Sequence, residues 1–240
     1  MKVIYLHGVF RQLERRKLLF QFNNALFGED VPGNDIAYYS DLLYPPATDL
    51  AQAWKDKTED IEKEVLKICL KDVYAYLFEK DKQTAIEKRL TDILDASDEP
   101  VIIAAHSLGS VIAFKVLTQY GDRVKVPLFL TMGSPLGMGV LENELMKQLG
   151  TAKMSKPPAV GKWINIVAIG DPVAADASLA EKYIGRCIKD VLILNPNTIS
   201  TQLTHSVVGY LESKPAREAV LDAIFMNSNP VTKFIYNLGT

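Results

Sequence analysis

Hydrophobic and polar positions along the chain switch between two periods. Dense apolar runs rich in β-branched and aromatic residues lie at Val3–Leu6, in DIAYYSD (Asp35–Asp41), at the start of VIIAAHSLGSVIAFKVL (Val101–Leu117), and in VKVPLFLTMGSP, WINIVAIGDPV and VLILNP. Each is halted by Gly, Pro, Asn, Asp or Ser, which is the signature of short buried strands. Between them, Leu13–Phe27 carries Leu18, Phe22 and Leu26 at helical spacing and stops at Gly28. Val111–Leu117, Thr84–Leu94 and Pro215–Met226 read as further helices. Strand and helix patterns alternate up to about residue 195. That alternation predicts an α/β fold: a mostly parallel sheet of about six strands with helices on both faces.

One segment breaks the alternation. Asp49–Lys80 is laced with charge, lacks Gly and Pro, and spaces Ile61, Val65, Ile68, Leu70, Val73 and Leu77 at near-helical intervals. A single helix, Thr84–Leu94, suffices to join the strands around Tyr38 and Val101. The surplus, residues 50–82, is therefore expected to be a helical insertion, either a lid over a site or an extra packed helix pair. Its Tyr74, Tyr76, Leu77 and Phe78 could line an acyl pocket or be buried as core.

Length and composition narrow this picture without changing it. At 240 residues the chain is expected to form one domain over 1–240. A formal charge of −2 without a Lys/Arg cluster argues against nucleic acid as a partner. No apolar run approaches the length of about 18 residues needed to span a bilayer, so no stable membrane insertion is expected. Cys69 and Cys187 are far apart and suggest neither a disulfide framework nor a metal site. MKVIYLHGVF enters a strand-like run at once and is too polar for a signal peptide, so the expectation is a soluble cytoplasmic protein. Neither a G-x-G-x-x-G run nor paired histidines at ligand spacing is present, and no cofactor or metal is expected.

In parallel α/β sheets, reactive groups gather beyond the carboxyl ends of the strands. In this chain those ends carry His7-Gly8, His106-Ser107, Gly133-Ser134 and Asp171, with His205 further on. A serine hydroxyl needs a histidine base to attack at neutral pH, and the base needs a carboxylate to orient it. Ala105-His106-Ser107-Leu108-Gly109 supplies a strand–turn–helix bend with small residues two before and two after Ser107. Alanine stands at 105, where glycine is usual for such a bend. Of the three histidines, His7 and His106 belong to strand-end motifs, which leaves His205 as the base. His106 shares the tight turn with Ser107 and is expected to point away from it. Asp171 directly follows a strand and precedes Pro172, so it is the favoured acid; Asp176, farther into the loop, and Asp190, ahead of its strand, are rivals. Oxyanion donors are expected from the Leu108 backbone, at a helix N-terminus, and from Val9 or Phe10 after the first strand.

Taken together, LHGVF, AHSLGS, GDPV and THSVV, with TMGSPLG after the next strand, resemble the α/β-hydrolase-fold serine hydrolases of the lipase and esterase kind. The order Ser107, Asp171, His205 is the order of that family. The resemblance spans Val3 to about Met226 apart from the insertion, and the chain begins directly at the oxyanion strand. It implies hydrolysis of a small-molecule acyl ester through an acyl-enzyme on Ser107. An acyltransferase or thioesterase using the same three residues, or a binding protein that has lost catalysis, remain alternatives.

Overall fold

A computed structural model describes residues 1–9, 11–44, 71–174, 176–195 and 204–227. Among the described residues six strands are found: β1 (Lys2–Leu6), β2 (Asp35–Ala37), β3 (Val101–His106), β4 (Val126–Met132), β5 (Val160–Ala168) and β6 (Ile188–Ile193). They form one sheet in the order β2-β1-β3-β4-β5-β6, with every neighbouring pair parallel. The chain runs outward from β1 to β2, then crosses back to β3 on the other side of β1. Between β1 and β3 the winding therefore reverses, and a crevice opens beyond the strand ends at such a reversal.

Side-chain alternation divides the strands between two cores. On one face Ile4, Leu6, Ile103, Ala105, Phe129 and Trp163 pack under helices α4 (Lys80–Asp95) and α5 (Leu108–Tyr120). On the other, Tyr5, Ile102, Leu130 and Ile166 pack on α1 (Arg15–Phe27), α8 (Val207–Glu212) and α9 (Lys214–Met226). The remaining helices are α2 (Ser40–Leu43), α3 (helical over 71–78), α6 (Gly139–Leu149) and α7 (Leu179–Lys182). β3 is buried along its whole length, which explains why its sequence is apolar without alternation.

Several predicted boundaries moved, for local reasons. DIAYYSD is strand only to Ala37. The Tyr39 N–H bonds to His7 Nε2 at 3.1 Å and its hydroxyl bonds to the His7 carbonyl, pulling the chain across the end of β1 and into α2. LTHSVVGYL, which gave no helical signal, contains α8. Gly28 closes α1 as expected, at φ 81°.

Of the expected insertion, residues 50–70 lie outside the described residues, as do Cys69 and Phe10. Within 71–82, Asp72, Ala75, Tyr76 and Leu77 are buried. Tyr76 is fully buried and donates to Glu87 at 3.0 Å, and the same carboxylate pairs with buried Lys115 of α5 at 2.7 Å. Tyr44 donates to Asp72 at 2.6 Å. α3 is thus tied through Tyr76 to Glu87 of α4, whose carboxylate also neutralises Lys115, the cation buried within α5. Among the described residues no helix is long and apolar enough to cross a membrane.

Candidate active site

Ser107 occupies the bend between β3 and α5 with φ 53° and ψ −127°, a backbone conformation that L-residues rarely adopt. The surroundings hold it there. Its N–H extends the β3–β4 ladder to the Met132 carbonyl at 3.0 Å. Its carbonyl accepts from the Ser110 N–H at 2.9 Å and from the Ser110 hydroxyl at 2.5 Å. Because Ser110 spends its one proton there, the 2.7 Å contact with Ser134 has Ser134 as donor. The bend is thereby tied to the loop after β4.

Close packing makes glycine necessary at two positions beside the bend. A Cβ at 109 would stand 2.6 Å from the His7 carbonyl oxygen and 2.7 Å from that of Leu6. A Cβ at 8 would stand 2.9 Å from both His106 Nδ1 and Ser107 Cβ. Position 105 makes no such demand: Ala105 is buried in β3 between Leu6 and Thr131, and the bend forms above it.

Asp171 and His205 are brought together from the loops after β5 and β6. His205 Nδ1 lies 2.8 Å from Asp171 Oδ2. A carboxylate only accepts, so Nδ1 carries the proton and Nε2 is left with the free lone pair. His205 Nε2 is buried and has no hydrogen-bond partner, Ser107 included, among the described residues. Asp171 Oδ1 accepts from the backbone N–H of Val173 and Ala174, and Oδ2 also takes the Tyr210 hydroxyl at 2.5 Å. Burial alone would raise the Asp171 pKa, but the bond to His205 and its charge, with Tyr210 and Val173, hold it down at about 2. Asp171 is ionised across the neutral range.

The rival carboxylates are engaged elsewhere. Asp176 pairs with Lys182 and accepts from Ser178, joining its loop to Gly137. Asp190 lies inside β6 rather than ahead of it, accepting from Asn165 at 2.9 Å and from the Ala180 N–H at 2.8 Å.

The two other histidines are buried. His7 Nε2 accepts from Tyr39 N–H, so Nδ1 must be the protonated nitrogen that donates to the Gly8 carbonyl at 2.8 Å. That bond turns the Gly8–Val9 peptide, whose N–H points opposite to its carbonyl. Among the described residues neither the Val9 nor the Leu108 N–H has a partner. His106 packs its ring against His205, centroids 4.5 Å apart, and burial followed by the His205 charge keeps it far below the usual histidine range.

Burial lowers the His7 pKa to about 4, against a smaller opposing effect of its bond to Gly8. Folded His7 therefore refuses a proton that the unfolded chain accepts below pH 6.5. Its contribution to stability is complete above that pH and is lost as pH falls toward about 4. The unfolding free energy read from urea titrations should accordingly drop between about pH 7 and pH 5, by about 2 kcal/mol, with His106 acting in the same sense. A free energy that stays level over that interval would rule this out.

Four positions support the site in ways the sequence did not show. A Cβ at Gly133 would lie 3.0 Å from Asp171 Oδ2 and from His205 Nδ1, so glycine there makes room for the pair. Asn195 donates to the carbonyls of Thr204 and Ser206 on either side of His205, and Gly209 admits the Asn195 side chain. Tyr210 grips Asp171 from α8. Each acts on residues distant along the chain, beyond the reach of periodicity or motif.

A cavity of about 510 Å³ opens on Ser107. Val9, Val73, Leu77, Pro135, Leu141 and Val173 form its apolar wall. Tyr74 and Phe78, rings 4.7 Å apart and both exposed, stand at its rim with Val140. Of the residues weighed between pocket and core, Tyr76 takes the core. Among the described residues no group of three or more His, Cys, Asp or Glu side chains is arranged to hold a metal ion. Compared with known proteins, the chain matches no protein-family model, and no curated protein matches it.

Proposed function

We propose that the protein is a serine hydrolase of the α/β-hydrolase kind that cleaves carboxylic esters with an apolar acyl group. Ser107 Oγ attacks the ester carbon while His205 Nε2 takes its proton. Asp171 holds the Nδ1–H and stabilises the imidazolium that forms. The carbonyl oxygen, now negative, is received by the free N–H groups of Val9 and Leu108, the latter at the positive end of α5. His205 returns the proton to the departing alcohol. Water, deprotonated by the same Nε2, then releases the acyl group and restores Ser107.

The observation that carries this reading is the Asp171–His205 pair, with its free Nε2, at the same sheet edge as a serine held at φ 53°. Backbone strain of this kind costs on the order of 1–3 kcal/mol and persists where the surroundings enforce it, as at nucleophile turns. The apolar cavity beside Ser107 supports an acyl chain as the group bound. The free, exposed thiol of Cys187 suits a cytoplasmic setting.

A fluorophosphonate probe tests the reading directly: one adduct is expected, on Ser107, in protein that also hydrolyses p-nitrophenyl esters. Absence of any adduct in folded protein would instead favour a binding role. For the cavity, Val73→Trp is expected to lower kcat/KM for a long acyl chain by about tenfold or more relative to acetate. An ester panel of graded chain length reads this, and an equal loss at every length would remove the acyl assignment.

A further inference from the structure

Asp171 Oδ2 is shared. It accepts from His205 Nδ1 at 2.8 Å and from the Tyr210 hydroxyl at 2.5 Å, whereas Oδ1 is taken up by two backbone N–H groups. The direction of the Tyr210 bond is not free to change. The Ala168 N–H donates to the same phenol oxygen at 2.9 Å, so the phenol's single proton goes to the carboxylate. Burial, then the Asp171 charge, push the Tyr210 hydroxyl up, and it stays protonated throughout the working range.

We infer that Tyr210 is a positioning residue that draws carboxylate charge away from His205 and so sets the pH at which the base becomes available. This rests on the reading of His205 as base to Ser107. Two donors on one oxygen weaken each other, because each polarises the same lone-pair density. The stronger the Tyr210 bond, the less Asp171 stabilises an imidazolium, and the lower the pH at which His205 Nε2 is free to accept a proton. The titratable groups facing the pair are Tyr210 from α8, His106 from the end of β3 and, behind it, His7 from the end of β1. Both of these histidines are held neutral by burial, and among the described residues Tyr210 is the one partner of Asp171 besides His205 that lends it a side-chain proton.

The arrangement is held as a unit. His205 and Tyr210 lie five positions apart in sequence, and Asn195 ties the carbonyls flanking His205 while Gly209, next to Tyr210, packs on the Asn195 side chain. Base and tuning hydroxyl are thus carried by one short segment and approach Asp171 together.

Tyr210→Phe removes the competing donor. The acidic limb of the kcat/KM profile is expected to move to higher pH by roughly half to one unit, with the His205 Nδ1–H proton resonance displaced downfield. A structural role alone would lower kcat at every pH and leave the limb in place, and that result overturns the inference. The same substitution leaves the Ala168 N–H without its acceptor and could unfold the protein. A fluorinated tyrosine introduced at position 210 keeps both bonds with a stronger donor, and must move the limb and the resonance the opposite way. No displacement, or one in the same direction as phenylalanine, overturns the inference equally. The resonance is read without substrate, so it tests Tyr210 even if Ser107 proves unreactive; loss of ester turnover and probe labelling in the native protein would refute the hydrolase reading alone.

Discussion

Ser107→Ala should abolish measurable ester turnover, a loss of about a million-fold, while leaving the fold and its urea midpoint close to native. The size follows from the cooperation of the three groups: without the hydroxyl, His205 has nothing to activate and Asp171 nothing to orient, so one deletion costs nearly what removing all three would. What remains is binding in the apolar cavity and the two free N–H groups of Val9 and Leu108, which in comparable sites still accelerate water attack by about a thousand-fold. Folding should be spared because every tie on the bend passes through backbone or neighbouring hydroxyls. The Ser107 N–H and carbonyl hold Met132 and Ser110, and Ser107 makes no side-chain cap to α5. Ser110→Ala is the matching control, since it loosens the Ser107–Ser134 tie without touching the nucleophile and should keep probe labelling. Labelling that survives Ser107→Ala would transfer the nucleophile elsewhere.

Asp171→Asn is the second large effect, a loss of about ten-thousand-fold in kcat with folding retained. The wild-type carboxylate receives four donors: Val173 and Ala174 N–H on Oδ1, His205 Nδ1–H and the Tyr210 hydroxyl on Oδ2. An asparagine brings an NH₂ that must face one of these pairs. The backbone N–H groups cannot reverse, so the amide oxygen stays with them and the NH₂ turns to His205 and Tyr210. His205 then accepts at Nδ1 and carries its proton on Nε2, where it can no longer take one from Ser107. Single-turnover assays beside circular dichroism would separate this from unfolding. Turnover near the native rate would hand the role to another carboxylate, although Asp176 is occupied by Lys182 and Asp190 by Asn165.

The readable parts of this molecule are those written locally. A strand run followed by a small polar turn and a helix spells out the Ser107 bend within Val101–Leu117, and its neighbours supply most of the restraints. A strand end nominated Asp171 and elimination among three histidines left His205, and the structure joins the two by a hydrogen bond. Illegible were the features that depend on who meets whom across the sheet. DIAYYSD looked like one strand because nothing in it announces that His7, some 32 residues earlier, claims Tyr39. Gly133 read as a turn residue, whereas its role is to leave space for two side chains from other loops. Tyr76 and Phe78 carried the same apolar signal, yet one enters the core and the other the cavity rim, a choice made by Glu87 and Lys115.

An all-parallel sheet has a consequence for assembly. No two neighbouring strands are joined by a hairpin, and the central β1–β3 pairing closes a loop of about a hundred residues, so little of the sheet forms from local contacts. The groups beside Ser107 come from the ends of β1, β3, β4, β5 and the segment after β6, and the ladder continues into them through Met132, Ile166 and Ile193. On the proposed mechanism, a reactive Ser107 cannot precede the docking of β5 and the segment after β6, and a covalent probe of that serine would double as a clock for that step of folding.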